Sequence, residues 1–342
     1  MLLCYNMIKS LLFISLLSLA CGGEIHTQLS ETDEWFHFNK FQSKFNKEYK
    51  SFEEFEHRFE AFCTNLKHIT LHNNNASNTF KMAINQFADI TPEEFRETHL
   101  NGFRKSHNLL ATNLSCISFK GTNKTLPDSV DWRSNAVTPV KDQGQCGSCW
   151  SFSSTGAMEG AWAIAKGQLV SLSEQQLMDC SRKYGNQGCN GGDMDPSFQY
   201  AIQNGGMCAE NDYKYDAIDS NKCKNCKVVA KFTNCADVMP NNQLALKEAV
   251  SIGPVSVAIE ADTHLFQFYS SGVITDKACG TQLDHGVLAV GYGEENGVKY
   301  WLVKNSWSDS WGNEGYVKIE RTDSTNDEGI CGIAMDPSFP IV

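Results

Sequence analysis

Gln143-Gly-Gln-Cys146-Gly-Ser-Cys149-Trp150 puts a thiol at the start of a predicted helix, which runs from Cys149 to Ala165 and is ended by Gly167. At a helix N-terminus the free N–H groups and the positive end of the dipole lower a thiol pKa and favour the thiolate, the nucleophilic form of cysteine. A thiolate needs a base partner. His285, in Leu283-Asp-His-Gly286, is the strongest candidate, 136 residues downstream (285 − 149). The imidazole in turn needs an acceptor that orients it without taking its proton. Asn305 in Lys304-Asn-Ser-Trp307 is a neutral amide that fits, 156 residues after the thiol (305 − 149).

Around this core the chain changes character. Ser173-Glu-Gln-Gln176 predicts a helix start with a capping box, and Leu172 as a hydrophobic staple. From about residue 228 strands take over. Val255, Val257 and Ile259 alternate with Ser256 and Ala258, and residues 287–290, 298–303 and 316–319 are strand-like. A helical half followed by a strand-rich half predicts an α+β body of two lobes with a groove between them. Upstream, Phe52, Phe55, Phe59, Phe62, Leu66 and Ile69 make one apolar stripe on a helix that starts at Ser51 with Glu54 three residues on. Trp35, Phe38, Phe41 and Phe45 share the spacing, and Thr91-Pro92-Glu93-Glu94 opens a third helix. Residues 27–110 therefore predict a separate helical unit, joined by an extended linker over 104–126.

The 342 residues are 41% hydrophobic and 20% charged, as in folded proteins. Up to residue 125 acidic and basic side chains balance at 13 each; the remainder has 16 basic and 27 acidic, which accounts for the net charge of −11. Such a body offers no basic stripe to phosphates, which argues against nucleic acid. Lys9 and the apolar run 10–20, followed by small residues, predict a signal peptide over 1–22, too short to span a bilayer. Asn75, Asn113 and Asn123 open glycosylation triplets. The 14 cysteines then belong in an oxidising compartment, where most pair. A four-cysteine zinc site of Cys146, Cys149, Cys223 and Cys226 is an alternative, but it leaves His285 and Asn305 unexplained. A redox reading of Cys146-Gly-Ser-Cys149 wants a βαβ context that no surrounding pattern supplies.

Cys146-Gly-Ser-Cys149-Trp150, with a distant His and then Asn, resembles the papain-like cysteine peptidases. Glu54, Arg58, Phe62, Asn65, Ile69 and Asn73 resemble the interspersed propeptide motif of the cathepsin L branch. Ala83-x-Asn85-x-Phe87-x-Asp89 resembles a second one, with Ala83 where Gly is usual. Leu126-Pro-Asp-Ser-Val-Asp-Trp-Arg133 looks like a mature N-terminus. The resemblance implies a signal peptide (1–22), a helical inhibitory propeptide (23–125) and a papain-like peptidase domain (126–342) with an antiparallel, barrel-like right lobe. It implies an endopeptidase without cofactor or metal, working through Cys149, His285 and Asn305. Gln143 and the Cys149 N–H would hold the oxyanion, and Trp307 would cover the His–Asn pair. It also implies substrate contacts at Gly191, Gly192, Asp193, Met194, Ala258, Asp284, Gly286, Trp307 and Asp336. Asp336, where the branch commonly has a small neutral residue, would let the main specificity pocket take basic as well as apolar side chains. The implied disulfides are Cys146–Cys189, Cys180–Cys223 and Cys279–Cys331. Cys208, Cys226 and Cys235 have no counterpart; three is odd, so one is free or bonded outside the mature domain. The partners implied are protein and peptide substrates and the chain's own propeptide, in a monomer without a stable membrane anchor, in the lysosome or outside the cell. Propeptide removal is expected at acid pH.

Overall fold

The computed structural model describes residues 31–342 except 101, 106–114, 123 and 221. The segment 1–22 and the triplet asparagines Asn113 and Asn123 lie outside the described residues.

The aromatic stripes of the first unit face each other. Helices α1 (Glu31–Phe45) and α2 (Phe52–Asn74) pack so that Phe38 lies 5.0 Å from Phe59 and 5.1 Å from Phe62, ring to ring. Ser51 caps α2 by accepting the Glu54 N–H, while the Glu54 carboxylate caps the Lys50 N–H at 2.7 Å, one residue outside the usual reciprocal box. The polar members of the motif fasten the chain that follows. Asn65 donates to the carbonyls of Ala88 and Ile90 at 3.0 and 2.9 Å, and Asn73 bonds both the N–H and the C=O of Met82. Arg58 bridges to Glu94 at 2.8 Å. Strand β1 (Phe80–Met82) leads to Ala83, whose N–H donates to Phe268 at 2.9 Å. Helix α3 (Pro92–Phe95) has Thr91 and Glu94 in a complete capping box and runs into a π-helical turn, Arg96–Leu100. Strand β2 (Ile117–Phe119) follows.

The larger body starts with β3 (Val130–Asp131) and the helices α4 (Cys149–Lys166), α5 (Glu174–Cys180) and α6 (Met194–Gln203). Gly167 ends α4 in the left-handed conformation. Ser173 accepts from the Gln176 N–H, but the Gln176 amide turns to Tyr200 and the Cys208 N–H, so only half of the predicted box forms. There follow β4 (Met207–Cys208), β5 (Val228–Ala230), β6 (Asn234–Val238), α7 (Gln243–Ile252), β7 (Val255–Ile259) and α8 (His264–Gln267). Strands β8 (Tyr269–Ile274), β9 (His285–Glu295), β10 (Val298–Lys304), β11 (Tyr316–Glu320) and β12 (Ser338–Ile341) complete the body.

The main sheet has ten strands in the order β1-β8-β11-β10-β9-β7-β12-β6-β2, with β3 also on β9. The α+β body predicted from the sequence is present. Its sheet is open rather than closed into a barrel, and β8–β11 and β2–β6 pair parallel. Both ends of the strand order are β1 and β2, contributed by the chain before residue 126. Strand β7 is buried on both faces: Val257 and Ile259 join the core shared with the N-terminal aromatics, and Ala258 joins the core around α4 and α6. Its small residues let α4 come close, with the Ser256 hydroxyl donating to the Ser153 carbonyl at 2.9 Å. Beneath α4, Lys141 bridges Glu159 and Glu174 at 3.0 and 2.6 Å in the interior.

Candidate active site

Helix α4 presents Cys149 at its first turn. Its N-cap Ser148 makes no side-chain cap bond; that hydroxyl goes to Tyr215 instead. The N–H groups of Cys149, Trp150 and Gly286 therefore remain to serve the sulfur, and the Gly286 N–H lies 3.3 Å from Sγ. His285 opens β9, which pairs with β7, so the strand ladder brings it next to the start of α4. Its Nε2 is 2.8 Å from Oδ1 of Asn305, and Nδ1 has no hydrogen-bond partner among the described residues. The Trp307 ring stacks on the imidazole at 4.6 Å and 27°. Gln143 is fully buried; its Oε1 accepts from Ser306 at 2.7 Å. Cys149, His285, Asn305, Gln143 and Trp307 thus converge.

What covers them is the N-terminal unit. A Cβ on Gly102 would lie 2.5 Å from Cys149 Sγ, so only glycine lets the backbone cross the sulfur there. Gly102 accepts from the Gly192 N–H at 3.0 Å, Arg104 donates to the Gly192 carbonyl at 2.9 Å, and Phe103 donates to the Asp284 carbonyl at 3.2 Å. Phe103 is buried in the apolar cluster that contains Met194 and Ala258. Lys105 sets its ammonium 2.8 Å from Asp336. The His99 carbonyl accepts from Nε2 of Gln143 at 3.3 Å. Phe87 and Phe95 stand edge-on to Trp307 at 5.5 and 5.2 Å, and Asn85 anchors the turn by donating to Gln267 at 2.7 Å.

Enclosure reverses the electrostatics expected from the helix tip. Burial pushes the Cys149 thiol up to about 12, outweighing the three N–H groups, and the carboxylate of Asp284 adds to the rise. Burial takes His285 down to about 4 against the Asn305 bond that favours its charged form. Under the cover, burial thus disfavours both the thiolate and the imidazolium.

The other residues named from the sequence fall as follows. Gly192 meets the covering segment, whereas Gly191 closes its own loop by accepting from Gln187 at 2.7 Å. Asp193 is buried with its N–H on Asn186. The Asp284 carboxyl turns to the Ala261 N–H at 2.8 Å, and burial raises it to about 8. Asn75 is exposed at the end of α2, where its Oδ1 accepts from Ser77. The structure has disulfides Cys146–Cys189, Cys180–Cys223 and Cys279–Cys331, together with Cys208–Cys226 and Cys116–Cys235. Three of the four thiols of the alternative zinc set are therefore consumed, whereas Cys149 is in no disulfide. Sequence reasoning missed the roles of His99, Phe103 and Lys105, which sit in a stretch read as the end of a helical unit and a linker.

Residues 126–341 match the papain family cysteine proteases, and residues 38–95 match the cathepsin propeptide inhibitor domain (I29). The chain belongs to the papain family of cysteine proteases. It is 47% identical over 293 residues to Germination-specific cysteine protease 1 of Arabidopsis thaliana, covering 83% of this chain and 77% of that one. Its fold is similar to the proform of the ragweed pollen cysteine protease Amb a 11, with a TM-score of 0.81 at 40% identity over 92% of this chain and 94% of the other. Digestive procathepsin L 3 of Tenebrio molitor gives a TM-score of 0.81 at 41% identity, over 90% of this chain and 99% of the other. This papain-family chain is a cysteine endopeptidase zymogen that carries its own inhibitor domain. No helix among the described residues is long and apolar enough to cross a membrane.

Proposed function

We propose that Cys149 is the nucleophile and His285 the acid–base partner of this endopeptidase, with Asn305 fixing the ring and Gln143 and the Cys149 N–H receiving the oxyanion. The observation that carries this is the backbone of Gly102–Arg104, which crosses the Cys149 sulfur bonded to Gly192 and Asp284, while the His99 carbonyl engages the Gln143 amide. Once the groove opens, the Cys149 thiol passes its proton to Nδ1 of His285, the thiolate attacks the substrate carbonyl, and the imidazolium returns that proton to the leaving amine. Water, deprotonated by the same ring, then cleaves the acyl-enzyme.

The same reading divides the chain into a signal peptide (1–22), an inhibitory propeptide (23–125) and a peptidase domain (126–342). Cleavage falls near Leu126 in acid, by the enzyme itself. Met194, Ala258 and Gly286 line a pocket for an apolar side chain, and Asp336 at its end accepts a basic one, as Lys105 illustrates. Five disulfides among the described residues call for the oxidising secretory pathway; the destination is a lysosome or the exterior, as a monomer without a membrane anchor, glycosylated at Asn75, Asn113 or Asn123. The test is a thiol-directed active-site label plus cleavage of a Phe-Arg reporter after incubation at about pH 4–5. Labelling at Cys149 with turnover supports the assignment; turnover retained by Cys149→Ala overturns it. A Cys149→Ala precursor that matures as fast as the parent rules out self-cleavage.

A further inference from the structure

Cys116 lies ten residues before the proposed cut at Leu126 (126 − 116), yet its sulfur is bonded to Cys235 of β6, inside the peptidase domain. The covalent link does not stand alone. Strand β2 pairs parallel with β6, Ile117 to Ala236 through Phe119 to Val238. The Met239 N–H donates to the Phe119 carbonyl at 2.9 Å, and the Phe119 ring meets Phe339 of β12 edge-on at 5.5 Å. Beyond the strand, the N–H and hydroxyl of Thr122 donate to the Glu248 carboxylate of α7 at 2.6 and 2.7 Å. Residues 116–122 are thus fastened, by a disulfide, a strand pairing and a helix contact, to the domain from which the propeptide is supposed to depart.

Resting on the zymogen reading above, we infer that the Cys116–Cys235 bond keeps the C-terminal piece of the propeptide on the mature enzyme, so that maturation takes two cuts. One cut near Leu126 frees nothing. It leaves Gly102–Arg104 in the groove on a chain still tied to the domain, at an effective concentration in the millimolar range for a short tether. Dilution then cannot relieve inhibition. A second cut between the groove-filling segment and Cys116 is what lets the inhibitory part leave, with Cys116 still bonded to Cys235. The active enzyme is consequently two-chained, with a short peptide carrying Cys116 as the β2 edge of the sheet.

The test is intact-mass analysis of acid-matured, thiol-labelled enzyme before and after reduction, with N-terminal sequencing of the reduced chains. The expected result is a labelled enzyme whose mass falls on reduction by that of a peptide containing Cys116, beside a large chain starting near Leu126. A labelled enzyme with the mass of 126–342 alone overturns the inference, as does one that keeps Cys116 without losing mass on reduction. The maturation reading stands or falls separately, on whether a chain starting near Leu126 appears after reduction. Proteolytic mapping of the unreduced precursor supplies a readout free of activation: Lys-directed cleavage should yield a peptide ending at Lys120 linked to one starting at Phe232. A double Cys116→Ser/Cys235→Ser variant, which leaves no odd thiol, should mature with the short peptide absent; a variant that keeps it would show that strand pairing suffices and would overturn the role of the bond.

Discussion

The carbonyl of His99 accepts a hydrogen bond from the side-chain amide of Gln143 at 3.3 Å. A donor proposed to receive the negative oxygen of the reaction is thereby occupied by an uncharged oxygen of the covering segment. Replacing Gln143 with Ala removes that donor from the uncovered site. The expected outcome is a fall in kcat of about 10²–10³, with active-site labelling intact, measured on matured enzyme with a peptide reporter.

His99 also couples the cover to pH. It is buried between Phe87 and Phe95, and burial, helped by the Lys47 charge, takes it down to about 4. A folded pKa below the unfolded value of about 6.5 means that the stability carried by neutral His99 is complete above that value and drains away as pH falls toward about 4. Glu94 acts with the same sign: although burial opposes it, the Thr91 N–H, Arg58 and His57 hold its carboxyl below the usual range, so its contribution is lost in acid. Asp284, raised by burial to about 8, works the other way. His99→Phe should move the pH midpoint of maturation downward by about one unit. An unchanged rate-against-pH profile would remove His99 from the trigger.

Lys105 and Asp336 form the one ion pair between the covering segment and the end of the proposed specificity pocket that the groove contacts described above include. Asp336→Ala should lower the preference for Arg over Leu, at the second residue before the cut, by about tenfold, a loss of roughly 1.4 kcal/mol. Matched peptide pairs measure it, and an unaltered ratio refutes the role.

Lys141 neutralises two carboxylates, Glu159 and Glu174, each about 1% exposed. Lys141→Met strands both in the interior. The expected cost is about 3–5 kcal/mol, read as a lowered denaturant midpoint of the precursor.

The sequence made the chemistry legible where residue type and function coincide: a thiol at a helix start, a histidine, an amide and their order. It also made the aromatic stripe from Phe52 to Ile69 legible, because a helix repeats its face at fixed spacing. The seat of Cys235 was hidden, since a partner 119 residues away has no local signature; the count of unassigned cysteines said only that one of them lacked a mate in the mature domain. Gly102 was equally silent. Its value lies in the absent Cβ above Cys149, a relation between distant parts of the chain. The enclosure of the pair was hidden for a related reason: the helix-tip argument concerns a sulfur open to water, and the segment that covers Cys149 lies more than forty residues upstream of it.

Trp307 is about 1% exposed, roofed by Phe87 and Phe95 and floored by the His285 ring. Two of those neighbours leave with the cover. The indole therefore passes from a dry aromatic box to a wet groove wall at the moment of unmasking, and its emission should redden and be quenched by the newly charged imidazole beside it. The enzyme carries its own optical gauge of opening, readable without substrate or label.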